Sequence, residues 1–194
     1  MNQSRMEEGI RIFIDAIGER FDGDDLDRTP RRVAQAWHDD MLSGYATDPD
    51  AQMTWSEAPL DPGTVLVREI EFSSVCVHHL LPFVGRAHVA YLPDRRLAGL
   101  SKIGRIVEVH ARRLQIQERL TSQILGSLTR TLEPRGVLVM LDAEHTCMTL
   151  RGARKKGSRL VTLASSGVLR DDPAARAEVM AMLGLAADPP GTRR

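Results

Sequence analysis

Apolar residues at Met6, Ile10, Phe13, Ile17 and Phe21 recur at three- and four-residue intervals, the spacing of a single helical stripe. The polar stretch GDDLD ends that pattern. Thr29 followed by Pro30 predicts a second helix, with the hydroxyl capping and proline at the first helical position, and Val33, Ala34, Trp37 and Met41 form its buried face. SGYATDPDAQ reads as a polar loop, and APLDPG reads as a boundary.

Beyond that boundary the period changes from helical to alternating. Residues 64–76 set Glu69 and Glu71 against Ile70 and Phe72, and residues 86–92 place Ala87, Val89 and Tyr91 on one side. Two strands therefore flank the stretch Cys-Val-His-His at 76–79. Ser101 is expected to cap a helix carrying Ile103, Ile106 and Val107. A second helical face holds Ile116, Leu120, Ile124 and Leu128, and Pro134 and Gly136 end it. VLVML at 137–141 is apolar throughout, as a strand covered on both faces would be. HTCMTLR and RLVTLA read as further strands, Asp172-Pro173 opens a short last helix, and the tail DPPGTRR is expected to fray. The order predicts an α+β chain: a helical region over 1–60, a mixed domain over 61–185 and a disordered tail over 186–194. There is no internal repeat.

Charge and composition narrow the function classes. Lys plus Arg and Asp plus Glu each number 26 in 194 residues, so no global field draws the chain to nucleic acid or to a membrane surface. An anionic ligand must be held by a local basic cluster. The N-terminus lacks the basic-then-apolar layout of a signal peptide, and no apolar run approaches the roughly 20 residues that span a bilayer; a cytoplasmic protein is expected. In that compartment Cys76 and Cys147 are expected as thiols or metal ligands rather than as a disulfide.

If 145–151 is extended, His145, Cys147, Thr149 and Arg151 share one face, with Met148 and Leu150 turned into the core. Cys76, Cys147 and one histidine then satisfy the ligand count of a catalytic zinc ion, which keeps its fourth position for water. The spacing Cys76-x-x-His79 lets two side chains reach one ion from a single turn, and His78 or His145 is left free to move protons. The alternative is two cysteines acting as small buried hydrophobes beside satisfied histidines, and spacing alone leaves both open. RGARKKGSR carries five basic residues after this segment, while Lys102 and Arg105 share a face near a predicted helix start; both suit a phosphate-rich ligand, although charge runs are usually solvated. Glu118 can accept two donors from a base edge, or stand as an exposed helix charge.

The stretches CVHHLLPFVGRAHVAYLP, GLSKIGRIVEVHARRLQIQERLT, HTCMTLRGARKKGS and GVLRDDP, in this order, resemble the GTP cyclohydrolase I family. The resemblance covers about residues 60–173 and reaches more loosely back to RTPRRVAQAW. It implies the tunnelling fold, an antiparallel four-stranded sheet backed by two helices with an N-terminal helical extension, assembled through its sheet edges into a decamer of two pentamers with active sites at subunit interfaces. It also implies Zn2+ held by Cys76, His79 and Cys147, with His78 and His145 as proton-transfer groups. Glu118 is then similar to the residue that holds the guanine edge. Gln117 and Ser101 correspond to residues near the ribose, Lys102, Arg105 and Arg151 to triphosphate ligands, and Arg32 to a contributor from a neighbouring subunit. The implied reaction is hydration of C8 of GTP by zinc-activated water, ring opening, loss of formate, and rearrangement to 7,8-dihydroneopterin triphosphate.

Three positions depart from the family pattern. Val77 stands where a glutamate is usual, Gly104 lies inside a predicted helix at a cost of about 1 kcal/mol relative to alanine, and RLVTLASS lacks part of a threonine and serine run. A specialised paralogue acting on another purine nucleotide, or stopping at a ring-opened formamide, is one alternative. A non-catalytic family member is another. His38, His88 and His110 read as surface or packing residues.

Overall fold

The computed structural model describes residues 1–18 and 26–184. Helix α1 (Gln3–Ile17) packs against α2 (Thr29–Ala36), and the chain continues through a π-helical turn at Trp37–Met41. No residue of α1 is fully buried: Met6 and Ile10 are half-buried while Phe13 and Ile17 are 63% and 59% exposed, so its predicted apolar stripe is only partly covered in the single chain. Phe21 and the tail from 185 onward lie outside the described residues. Arg28 takes the cap position of α2, and Thr29 and Pro30 fall within its first turn rather than Thr29 capping it.

The polar loop carries two 3-10 turns, Ser43–Ala46 and Asp50–Gln52, and is pinned to the later chain. Gly44 N–H donates to Arg112 O at 3.0 Å, and a Cβ at Gly44 would stand 2.1 Å from Val109 O, an approach that only glycine permits. Strand β1 (Trp55–Glu57) follows and later pairs with β4.

Strands β2 (Val65–Cys76) and β3 (Pro82–Leu92) form the hairpin predicted from the alternating pattern, with a bulge between Val67 and Ile70 where Glu69 takes φ of 59°. β4 (Arg96–Ala98) leads into α3 (Leu100–Ala111). The extended Gly99 occupies the cap position, held by its N–H to Thr54 O, so α3 starts ahead of Ser101 and that hydroxyl does not cap it. β5 (Leu114–Gln115), α4 (Gln117–Leu132) and β6 (Gly136–His145) come next.

The segment 145–151 is not a strand. β6 ends at His145, opposite Phe83 near the start of β3, so no neighbouring backbone remains to extend the ladder. The chain turns into α5 (Thr146–Thr149), anchored by Thr146 Oγ1 donating to Pro82 O at 2.6 Å. Leu150 is 71% exposed and Thr149 is buried, the reverse of the strand expectation. β7 (Leu160–Gly167), α6 (Val168–Asp171) and α7 (Pro173–Met182) complete the chain, α7 being capped by Asp172 as its Asp-Pro start predicts.

Sheet order is β5-β2-β3-β6-β7. The four long strands are antiparallel, and the two-residue β5 adds a parallel pairing beside Val75 and Cys76. This is the α+β layout expected for the tunnelling fold, with α3 and α4 on one face of the sheet. Between them lies the main core, where Ile106, Leu120, Ile124, Leu128, Phe83, Val89, Val139 and Leu141 are fully buried; each contributes about 1.5–3 kcal/mol by leaving water. α6 and α7 cover part of the other face over Ala90, Leu138 and Met140. Among the described residues no helix is long and apolar enough to cross a membrane.

Candidate active site

Three strand ends converge at one end of the sheet. β2 finishes at Cys76 and the chain returns through a tight loop in which Cys76 N–H donates to Leu81 O and Leu80 N–H to Cys76 O, both at 2.9 Å, with Leu80 at φ of 54°. The same sheet end carries the start of β3 and the finish of β6, so Cys147, in the turn after β6, is brought back to Cys76 across 71 residues of chain (147 − 76).

The ligand atoms of Cys76, His79 and Cys147 all lie within 4.8 Å of one another. Donors around a tetrahedral zinc ion bound at about 2.0–2.3 Å stand about 3.3–3.8 Å apart, so small side-chain rotations close the trio on an ion. Two soft sulfurs and an imidazole form a donor set suited to such a metal. Burial pushes the Cys147 thiol pKa up, and the Cys76 sulfur adds to the shift. A bound cation reverses that preference by stabilising thiolate. Both cysteines are free thiols.

Around the trio stand two further histidines. His78 Nδ1 lies 3.7 Å from Cys76 Sγ, and its ring is exposed to solvent. His145 is 9% exposed and stacks on Phe83, with ring centroids 4.4 Å apart and planes within 5°. Its Nε2 is 2.9 Å from Gln117 Oε1. Burial lowers the His145 pKa, and the nearby Glu118 carboxylate opposes that shift. Gln117 and Glu118 open α4 after the extended Ile116: Gln117 is buried against the sheet and Glu118 is exposed. Val77 is 39% exposed in the same loop and donates its N–H to Gln115 O.

Other expected ligand residues lie apart. Arg151 is exposed just after α5, close enough for its charge to act on Cys147. Ser101, Lys102 and Arg105 occupy the first turns of α3, whose opposite end leads to β5 beside Cys76. At 1.5 Å per residue, the ten residues from Ser101 to Ala111 span about 15 Å. Ser101 and Arg105 line a cavity of about 310 Å³ that runs along α3 and β2 past Ile70, Phe72, Glu108 and Arg112. Arg32 is exposed on α2, whose main contacts are α1 and the π-helical turn. Arg154, Lys155 and Lys156 are all exposed, as a solvated charge run would be.

The sequence profile of GTP cyclohydrolase I matches residues 6–184. The chain belongs to the GTP cyclohydrolase I family. The GTP cyclohydrolase 1 of Streptococcus agalactiae serotype Ia is 45% identical over 183 residues, covering 94% of this chain and 97% of that protein. The enzyme of the same name from Thermobifida fusca is 46% identical over 185 residues, covering 94% and 89%. Among solved structures, the apo form of the archaeosine synthase QueF-Like is similar with a TM-score of 0.47 and 18% identity, covering 56% of this chain and 97% of that one.

In this member of the GTP cyclohydrolase I family, sequence reasoning missed Phe83, Thr121 and Thr162, which surround His145 and Gln117. Phe83 gave no chemical signal, because an aromatic in an alternating strand reads as core. The two threonines meet only through pairing of α4 with the β6–β7 edge.

Proposed function

We propose that this chain is a zinc-dependent GTP cyclohydrolase I, opening the imidazole ring of GTP hydrolytically, releasing C8 as formate and yielding 7,8-dihydroneopterin triphosphate in the cytoplasm. The observation that carries this reading is the Cys76, His79 and Cys147 group within 4.8 Å, beside the buried His145, in a chain matched by the family over residues 6–184.

Cys76, His79 and Cys147 would hold zinc, which supplies Lewis-acid activation of water at neutral pH. His145, whose neutral form burial favours, takes and returns protons as C8 is hydrated and the ring opens. His78, exposed beside Cys76, serves as the second proton carrier. Glu118 accepts the paired N–H donors of the guanine edge, and its exposure leaves both oxygens free for that contact. Arg151 meets the triphosphate from the near side.

Lys102, Arg105 and Ser101 reach the same ligand from a second copy. Among the described residues the outer edge of β2 is covered by β5 only at Val75 and Cys76, and β7 has no strand on its outer side, so both sheet edges are available for pairing between copies. A closed ring of such sheets, doubled to a decamer, removes the edges and brings the first turn of α3 of one copy toward the Cys–His–Cys group of the next. Arg32 joins from a neighbouring copy as well.

Zinc-loaded protein incubated with GTP should release formate and develop pteridine fluorescence together. Formate or a formamide without fluorescence would instead indicate a chain that stops early, and no product at all would indicate a non-catalytic member.

A further inference from the structure

Gln117 is 1% exposed, yet its carboxamide is fully engaged. Nε2 donates toward Leu141 O at 3.1 Å, Leu160 O at 2.8 Å and Thr162 Oγ1 at 3.1 Å. Two of these are backbone carbonyls, which can only accept. Thr121 Oγ1 donates to Gln117 O at 2.8 Å, which uses its one proton, so the 2.7 Å contact between Thr121 and Thr162 is donated by Thr162. The two Nε2 protons serve these three acceptors, one of them shared, and Thr162 passes its own proton to Thr121, which donates back to the Gln117 carbonyl. Flipping the carboxamide would set its oxygen against two carbonyl oxygens in a buried site, so the amide orientation is determined by the sheet and not by the histidine.

The oxygen Oε1 is therefore what faces His145, and an oxygen acceptor requires a proton on Nε2. Stacking on Phe83 fixes the ring plane, and a half-turn within that plane would set Cε1 in place of Nε2 against the Gln117 oxygen and forfeit the 2.9 Å hydrogen bond. We propose that Gln117 is a positioning residue that holds neutral His145 in the Nε2–H tautomer, leaving Nδ1 as the single basic nitrogen through which this histidine exchanges protons with the nucleotide. This rests on the reading of His145 as a proton-transfer group, and it gives Gln117 a role other than contact with the ribose.

The direct test is 15N NMR of the zinc-loaded protein labelled at histidine, with the His145 signals assigned by their loss in His145→Ala. The wild-type protein should show Nε2 in the protonated range and Nδ1 in the unprotonated range; the opposite pattern overturns the proposal whatever the Gln117 variants do. Gln117→Met, similar in shape but without the acceptor, should mix the two tautomers and lower kcat by at least about 10²-fold with zinc content and KM for GTP little changed. Gln117→Glu, protonated between the same carbonyls and still offering an oxygen to His145, should recover most of that loss. A Gln117→Met enzyme with wild-type tautomer and wild-type kcat would refute the role of Gln117 alone. A His145→Ala enzyme at near-normal rate would instead refute the reading of His145 itself.

Discussion

The rings of Phe83 and His145 lie parallel, 4.4 Å apart at their centroids, across the β3–β6 pairing that ends the sheet. Phe83 is fully buried beneath the histidine, so one aromatic side chain belongs both to the core and to the site. Phe83→Leu keeps most of the volume and should cost less than about 1.5 kcal/mol of stability, whereas Phe83→Ala should cost about 3–5 kcal/mol. The leucine variant should nevertheless lose turnover, because the ring plane is no longer held. Thermal unfolding alongside formate release separates the two effects.

Cys147→Ala removes one of two sulfurs from the trio. Bound zinc should fall well below one per chain, while unfolding stays near wild type because Cys147 is only half-buried at the margin of the core. Elemental analysis after dialysis against a mild chelator is the measurement, and one retained equivalent would remove Cys147 from the ligand set.

Glu118 is exposed, and in the proposed function its charge serves the guanine edge. Glu118→Gln leaves one amide oxygen where two acceptors are wanted and sets an NH2 against the guanine donors. kcat/KM for GTP should drop by at least about 10²-fold, with zinc content unchanged.

His110 should make the fold sensitive to acid. It is 4% exposed, with Nε2 at 2.9 Å from Ser127 Oγ. Its pKa is lowered to about 4, first by burial and then by the charge of Arg113, with Asp50 opposing and Arg130 adding to the shift. A histidine that protonates at about 6.5 unfolded and about 4 folded lets the unfolded chain bind more protons between those values. Stability therefore falls as pH drops from 6.5 toward 4, by about 1–3 kcal/mol in all from this group. Denaturant titrations across that range should show the slope, and His110→Gln should flatten it.

The sequence carried the layout of this protein wherever periodicity reports burial. The β2–β3 hairpin, the all-apolar run of β6 and the stripes of α3 and α4 were legible because each buries one face against the same core. Residues 145–151 misled for a local reason: their alternation is real, but a strand needs a neighbour, and β3 begins only at Pro82. Likewise Ser101 has the chemistry of a cap, yet pairing of β4 with β1 delivers the chain to the helix two residues early. Of the site, the candidates Cys76, His79 and Cys147 that the fold brings within 4.8 Å were nameable from the sequence, while the hydrogen bond between His145 and Gln117 was not. It joins a strand end to a helix start 28 positions away (145 − 117), and neither residue signals the other in sequence.

Zinc K-edge X-ray absorption on the loaded protein examines the central claim most directly. A shell of two sulfurs at about 2.3 Å, one imidazole nitrogen at about 2.0–2.1 Å and one light oxygen scatterer is the expected result. A shell without sulfur, or one closed by four protein ligands, would contradict an open Cys76, His79 and Cys147 centre.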